Sequence, residues 1–261
     1  MTLTVRKVAL ATGAGSGIGR AAALHLSTQG FSLGLLGRTQ SELEDVADDI
    51  TARSGVSKIL IADVSDEEAM RSAVAALVED LGRLDVVVAN AGVNGVWAPI
   101  DELKPSEWDD TIRINLRGTY LTVHASVPHL KAAGGGSIVI VSSINGTRTF
   151  TSPGATAYSV TKAGQLAMAQ QLALELGRHR IRVNAVCPGA IKTAIDENTK
   201  IRAREKTEVP VRFPAGDIPV TGGVAGTSED VAELIGFLAS DASRHVTGTP
   251  VWIDGGQGLL R

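Results

Sequence analysis

Residues 5–19 read Val5-Arg6-Lys7-Val8-Ala9-Leu10-Ala11-Thr12-Gly13-Ala14-Gly15-Ser16-Gly17-Ile18-Gly19. An apolar run of strand length, 5–12, meets the closely spaced Gly13, Gly15, Gly17 and Gly19 and gives way to a helix-period pattern over 18–29. Working outward, the same alternation recurs along the chain. Strands are expected over 31–37 and near 57–62, 84–90, 136–142, 180–186 and 249–253. Helices are expected over 41–53 and near 66–82, 106–133, 156–178 and 228–239. Continuous apolar strands joined by helical crossovers predict a parallel sheet covered on both faces. Right-handed crossovers then make it an α/β, doubly wound (Rossmann-type) sheet of about seven strands. No linker or repeat interrupts the alternation, so 1–261 is expected to be one nucleotide-binding catalytic domain with an insertion at about 194–226.

Bulk properties exclude several functions. The 261 residues suit one α/β domain, and 44% hydrophobic with 20% charged content is ordinary for a globular chain. Aromatics make up only 3% against 29 glycines, which suits aliphatic strands joined by tight turns. A net charge of −3 creates no field that gathers nucleic acid or an anionic membrane. The apolar runs 59–62, 84–89 and 137–141 are far shorter than the ~20 residues of a membrane span. The apolar stretch after Arg6 and Lys7 meets Gly13 too soon for a signal peptide. Cys187 is the single cysteine, so a reducing, cytoplasmic setting is expected. His25, His124, His129, His179 and His245 are dispersed, and no metal centre is expected.

The segment 194–226 is rich in charge, Pro and Gly. Within it Lys200, Arg202, Arg204 and Lys206 balance Asp196, Glu197, Glu205 and Glu208, so charge advertises no anionic substrate. It reads either as a solvated helix or as a mobile lid over the carboxyl edge of the sheet.

The glycine-rich turn permits close approach of the backbone to a pyrophosphate, whose charge would meet the N-terminus of the first helix. The G-x-G-x-x-G spacing is not met, because its third glycine would fall on Ile18, and a structural turn is the alternative. The second strand ends Leu35-Leu36-Gly37-Arg38-Thr39, with Gly37 where an NAD-binding fold places an acid. Losing that carboxylate and gaining the Arg38 guanidinium favours a 2′-phosphate, hence NADP, unless Arg38 only starts a solvated helix. Asp63, before Val64, stands where a carboxylate accepts the adenine amino group. Asn90, Ala91 and Gly92 end the fourth strand with small residues against which a cofactor would lie. Asp63 and Asn90 read equally as capping and turn residues.

Tyr158 and Lys162 are one helical turn apart and share a face. A tyrosine with its ordinary pKa of about 10 is a poor acid–base group at neutral pH, and a neighbouring ammonium would stabilise its phenolate. Ser142 and Ser143 fall at the end of the fifth long strand, where a hydroxyl can hydrogen-bond a substrate oxygen. An exposed helix pair is the alternative for Tyr158 and Lys162 taken alone.

Together these residues resemble the classical short-chain dehydrogenases/reductases, from about Lys7 to Gly256. Thr12-Gly13-x-x-x-Gly17-x-Gly19 is similar to the family's glycine signature, and Asn90-Ala91-Gly92 to its Asn-Ala-Gly motif. Asn115, Ser143, Tyr158 and Lys162 match its catalytic residues. Pro188-Gly189-Ala190-Ile191-x-Thr193 is similar to its nicotinamide-binding segment, and Asp254-Gly255-Gly256 to its C-terminal signature. The resemblance implies that Tyr158 is the general acid or base and that Ser143 orients the substrate oxygen. It implies that Lys162 holds the nicotinamide ribose and that Asn115 supports a water-mediated proton path to Lys162. The expected ligands are NADP(H) by preference, with NAD(H) possible, and a small carbonyl or alcohol substrate.

A homo-oligomer, tetramer or dimer, is the family's habit. The small-residue face of Ala163, Ala167 and Met168 could serve it, although burial against the sheet explains the same residues. The step from Ser143 to Tyr158 is longer than the family usually shows, so the loop 147–157 is expected to bulge. Candidate pocket walls are Asn94, Val96, Trp97, Asn145, Arg148 and Phe213. The rival readings are a cofactor-sensing or scaffold protein without catalysis, and an NAD-preferring dehydrogenase.

Overall fold

The structure is a computed structural model that describes residues 6–193, 199–209 and 217–260. Phe213, Asp196 and Glu197 lie outside the described residues. Seven parallel strands form one sheet: β1 Val8–Thr12, β2 Ser32–Gly37, β3 Ser57–Ile61, β4 Val86–Ala89, β6 Gly136–Val141, β7 Ile181–Pro188 and β9 Pro250–Ile253. Their spatial order is β3-β2-β1-β4-β6-β7-β9. The order reverses between β1 and β4, where Ala9 pairs with Val86 and Ala11 with Val88. That reversal opens a crevice at the carboxyl ends of the strands, where a doubly wound sheet receives its ligand.

Period-two alternation explains why the helices lie on both faces. Leu10, Val87, Ile138 and Val183 point into one core layer, which also contains Met70, Leu77, Leu121 and Ala169. Ala9, Ala11, Val86, Val88 and Val139 point into the other layer, with Leu26, Val46, Val231 and Ile235. The first layer lies under α3 (Glu67–Leu81), α5 (Gly118–Ala132) and α6 (Thr156–Gly177). The second lies under α1 (Gly17–Thr28), α2 (Gln40–Ala52) and α7 (Ser228–Ala239). Leu10 and Val87 are fully buried, and each such side chain contributes about 1.5–3 kcal/mol over exposure.

Three expectations are corrected. The single helix expected near 106–133 is α4 (Pro105–Thr111), a π-helical segment Ile112–Arg117, and α5. Of the two readings of the charged stretch, the solvated helix is replaced in the described part by a two-residue strand β8 (Lys200–Ile201) and a 3-10 turn. β8 pairs in parallel with β5 (Val96–Trp97) as a small second sheet. Ala163 and Ala167 are exposed on α6 rather than buried against the sheet.

Candidate active site

The glycine-rich turn is fastened to the end of β4. Thr12 Oγ1 accepts from the N–H groups of Asn90 (3.0 Å) and Ala91 (3.1 Å), and Asn90 Nδ2 donates to the Thr12 carbonyl (3.0 Å). Gly13 has φ +65°, a region favourable only for glycine. A Cβ on Gly19 would collide with the Gly13 carbonyl and the Asn90 amide, so only glycine lets the turn close onto α1. Asn90 therefore shapes the loop with its side chain. Ser16 is the N-cap of α1, Ile18 and Gly92 line the cavity beside the loop, and Gly17 and Gly15 complete the turn.

Arg38 follows β2 and is exposed. Asp63 follows β3; its Oδ1 accepts from the N–H (2.8 Å) and hydroxyl (2.7 Å) of Ser65. Partial burial raises the Asp63 pKa, but the Ser65 bonds and the charges of Arg113 and Arg38 outweigh it and hold the carboxyl below its ordinary value. Val64 packs into the core. Sequence reasoning missed Glu42, whose carboxylate lies against Gly15, close enough that a Cβ there would meet Glu42 Oε2 at 2.7 Å. Its only signal is its place one helical turn after Arg38.

Across the crevice the loop after β7 returns to the glycines. Gly189 N–H donates to the Ile253 carbonyl (3.0 Å), and Ala190 N–H to Gln257 Oε1 (2.9 Å). Ile191 bridges to Gly226, and the methyl of Thr193 lies beside Gly17. Pro188, Gly189, Ile191 and Thr193 thus form the wall facing Ile18.

Between these walls is a cavity of about 700 Å³, in the range of small-ligand sites. Ser143, Tyr158 and Lys162 line it together, with Trp97, Asn94 and Arg148 among the other wall residues. The Tyr158 ring is 6.3 Å from the Trp97 ring, and Lys162 Nζ is 5.4 Å from the Tyr158 ring centre. This pair is buried, which removes the exposed-pair alternative. Lys162 Nζ donates to the Val141 carbonyl (3.0 Å), and burial lowers its pKa to about 8. Ser142 Oγ donates to the Lys162 carbonyl (2.8 Å), so it ties β6 to α6, whereas Ser143 Oγ faces the cavity and accepts from Asn145 N–H (3.1 Å). Cys187 lies beneath, with its thiol pushed up to about 11 by burial, which makes it a poor nucleophile.

Asn115 sits in the π-helical segment and is fully buried. Its Oδ1 accepts from Val93 N–H (2.8 Å), and its Nδ2 donates to the Val93 carbonyl (2.8 Å) and to Thr161 Oγ1 (3.2 Å). It links the loop after β4 to the helix bearing Tyr158 and Lys162.

The loop after β6 is compact. Thr147 Oγ1 donates to the Ser143 carbonyl (2.7 Å), and Asn145 Oδ1 accepts from Thr149 and Ser152 (3.0 and 2.9 Å). Arg148 stacks on Trp252 (3.7 Å to the ring centre) and approaches Asp254 (4.0 Å), which joins the cavity wall at Arg148 to the C-terminal signature. Val96 contributes to β5, at the rim.

The residues fit a nicotinamide dinucleotide, because the glycine cradle that no Cβ could enter opens on a cavity with a hydroxyl, a phenol and an ammonium on one wall. Such an arrangement defines a dinucleotide-dependent oxidoreductase. A family model described as Enoyl-(Acyl carrier protein) reductase matches residues 13–257. A crystal structure described as a 3-ketoacyl-ACP reductase from Sinorhizobium meliloti is 67% identical, covers 97% of this chain and 100% of that one, and superposes with a TM-score of 0.95. A 3-oxoacyl-(acyl-carrier-protein) reductase of Thermotoga maritima is 36% identical over 96% of this chain and 97% of that protein. A 3-ketoacyl-(acyl-carrier-protein) reductase from Brucella melitensis, solved with NADH, is 30% identical with a TM-score of 0.85, over 97% of this chain and 98% of that one. The chain belongs to the short-chain dehydrogenase/reductase family, oxidoreductases that act on carbonyl and alcohol groups. No helix among the described residues is long and apolar enough to cross a membrane.

Proposed function

We propose that the protein is an NADP-preferring reductase that interconverts a carbonyl and a secondary alcohol on a small substrate, with a 3-oxoacyl thioester the first to test. The observation that carries this is the single cavity wall formed by Ser143, Tyr158 and Lys162 above the glycine cradle. A nicotinamide cofactor held there would supply the hydride for the carbonyl carbon. Tyr158 gives its phenolic proton to the substrate oxygen, Ser143 donates a hydrogen bond to the same oxygen, and solvent reprotonates the phenolate. The Lys162 ammonium stabilises that phenolate and holds ribose hydroxyls, and Asn115 positions the segment that carries both. Gly13, Gly15, Ser16, Gly17, Ile18 and Gly19 form the pyrophosphate cradle. Asp63, Val64, Asn90, Ala91 and Gly92 border the adenine and ribose, and Pro188, Gly189, Ile191 and Thr193 border the nicotinamide.

Arg38 supports the NADP preference, and the acyl-carrier descriptions of the Sinorhizobium and Thermotoga relatives support the substrate. Exposed Ala163, Ala167 and Leu174 on α6 support a homo-oligomer. A single catalytic domain in a cytoplasmic setting completes the reading. Calorimetric titration with NADPH and NADH tests the cofactor, with NADPH expected at least about tenfold tighter, as one charged hydrogen bond supplies about 1.5–3 kcal/mol. Tyr158→Phe is expected to keep NADPH affinity and to lower turnover of acetoacetyl thioester at least a hundredfold. Undiminished turnover would remove Tyr158 from the chemistry.

A further inference from the structure

We infer that Gln165 is a positioning residue for this reaction, acting through Asn115. The inference rests on the proposed roles of Tyr158, Lys162 and Asn115. Gln165 lies one turn beyond Lys162 on α6 and is 1% exposed. Its Nε2 donates to the Asn115 carbonyl (2.9 Å) and to Thr119 Oγ1 (2.8 Å), and Thr119 Oγ1 donates to the same carbonyl (2.7 Å). Its Oε1 is buried with no hydrogen-bond partner among the described residues, a desolvation cost that an apolar side chain would avoid. A buried amide held against that cost has a use at its other end.

That use is the π-helical segment. A π turn widens the backbone and leaves its carbonyls poorly paired along the helix axis, and such turns gather at functional sites. Here the widened turn turns Asn115 inward, and two side-chain donors meet its carbonyl. Fixing that carbonyl fixes the Asn115 side chain, which grips both main-chain groups of Val93 and the hydroxyl of Thr161. Thr161 in turn donates to the Tyr158 carbonyl (2.7 Å). The chain Gln165–Asn115–Thr161–Tyr158 is one buried network, so slack at Gln165 reaches the turn of α6 that carries the phenol and the loop at Val93 that lines the cavity. The Asn115 carbonyl is occupied by Gln165 and Thr119. The water-mediated path to Lys162 that the family resemblance implies would therefore have to share it.

The test compares wild type, Gln165→Met, which keeps the volume without the donor, and Gln165→Glu. The Gln165→Glu carboxyl donates to the Asn115 carbonyl only while protonated. The titratable group next to it along α6 is Lys162, one turn before it, while its hydrogen-bond partners Asn115 and Thr119 do not titrate. With NADPH and ethyl acetoacetate, a 3-oxo ester, Gln165→Met is expected to lower kcat at least about tenfold, with KM and NADPH Kd within threefold. Gln165→Glu is expected to approach wild-type kcat at pH 6 and to fall to the Gln165→Met level at pH 9. Amide exchange at Val93 reads the same coupling without any substrate and is expected to quicken about tenfold in Gln165→Met. Wild-type kcat or wild-type Val93 exchange in Gln165→Met overturns the inference, whatever the change in Tm. Should Gln165→Met not fold, the pH 6 to pH 9 comparison of Gln165→Glu decides alone. Undiminished turnover in Tyr158→Phe, where Gln165 is intact, would instead defeat the catalytic reading.

Discussion

Lys162 is a buried ammonium that the cofactor-free fold holds at a cost. Burial lowers its pKa from 10.5 to about 8, a difference of roughly 3 kcal/mol against the charged form. Below about pH 8 both folded and unfolded chains carry the proton, and the folded state bears the full cost. Between about 8 and 10.5 the unfolded chain holds more protons, so stability rises with pH across that window. Lys162→Met should therefore stabilise the cofactor-free protein at pH 7 by about 1–2 kcal/mol, after discounting the bond to Val141, and should flatten the alkaline rise. Urea unfolding at pH 7 and 9.5 measures both, and a less stable variant at pH 7 would contradict the argument. The same scale holds the cofactor choice. On the proposed NADP reading, Arg38 would attract a 2′-phosphate while Glu42, against Gly15, would repel it. Glu42→Gln is expected to tighten NADPH severalfold and leave NADH unimproved, since an exposed charge acts with at most about 1 kcal/mol. Equal gains for both cofactors would place Glu42 outside the phosphate's field. Tyr158, Lys162 and Ser143 were legible because their spacing and order carry chemistry. The contacts of Glu42 and Gln165 were not, because each meets a backbone that only folding brings near.

At the scale of elements, the small sheet β5–β8 decides how the cavity rim closes. Arg202 donates to both oxygens of Glu107 (3.0 and 2.9 Å) and to the Glu102 carbonyl, and Lys206 pairs with Glu102. Asn94, beside the cavity, donates to Thr199 Oγ1 (2.6 Å). Glu107 has its pKa lowered to about 2 by Arg202, with a further bond from Lys104 N–H. Since that carboxyl is depressed, the clamp is complete above the ordinary value of 4.5 and is lost only as pH falls toward about 2. The rim is therefore expected to hold unchanged from pH 5 to 8. Arg202→Met should raise KM for the carbonyl substrate several-fold and quicken hydrogen exchange over 199–209, with NADPH Kd unchanged. Unaltered exchange there would mean that strand pairing alone holds β8. None of this was readable beforehand, because two-residue strands carry no periodicity and a balanced charge run looks solvated. The long strands and amphipathic helices were readable because packing repeats every 2 or 3.6 residues, while the π-helical segment interrupts that period without changing composition.

Across the whole molecule the two edges of the sheet have separate tasks. The carboxyl edge carries the residues of the candidate active-site cavity and accepts the buried Lys162 and the glycine turn. The amino edge carries anchors, Asp85, Ser137 and Arg182 among them, that line a separate hollow away from that cavity. Asp85 accepts from Val8 N–H (2.8 Å) and from both ends of the Arg83 fork (2.8 and 2.6 Å). Arg182 on β7 donates to the carbonyls of Leu238 (2.9 Å) and Ser240 (3.1 Å), where α7 ends, and Ser137 on β6 donates to the same Leu238 carbonyl (2.8 Å). These bonds join those of Ser243 in satisfying the carbonyls at the end of α7 and tie that end to the sheet. The doubly wound order was legible because it follows from the alternation of elements, but this fastening was not, since Arg182 lies 56 residues from Leu238. Arg182 is partly desolvated and donates to carbonyls rather than to a carboxylate, so its removal loses charged hydrogen bonds while Ser137 and Ser243 keep those carbonyls partnered. Arg182→Met is expected to cost about 2–3 kcal/mol, which for a chain of this size lowers Tm by roughly 5–10 °C. NADPH Kd and kcat measured below the transition should match wild type, because the site is held at the other edge. A matching loss of cofactor affinity would show instead that the two edges are mechanically coupled through β7.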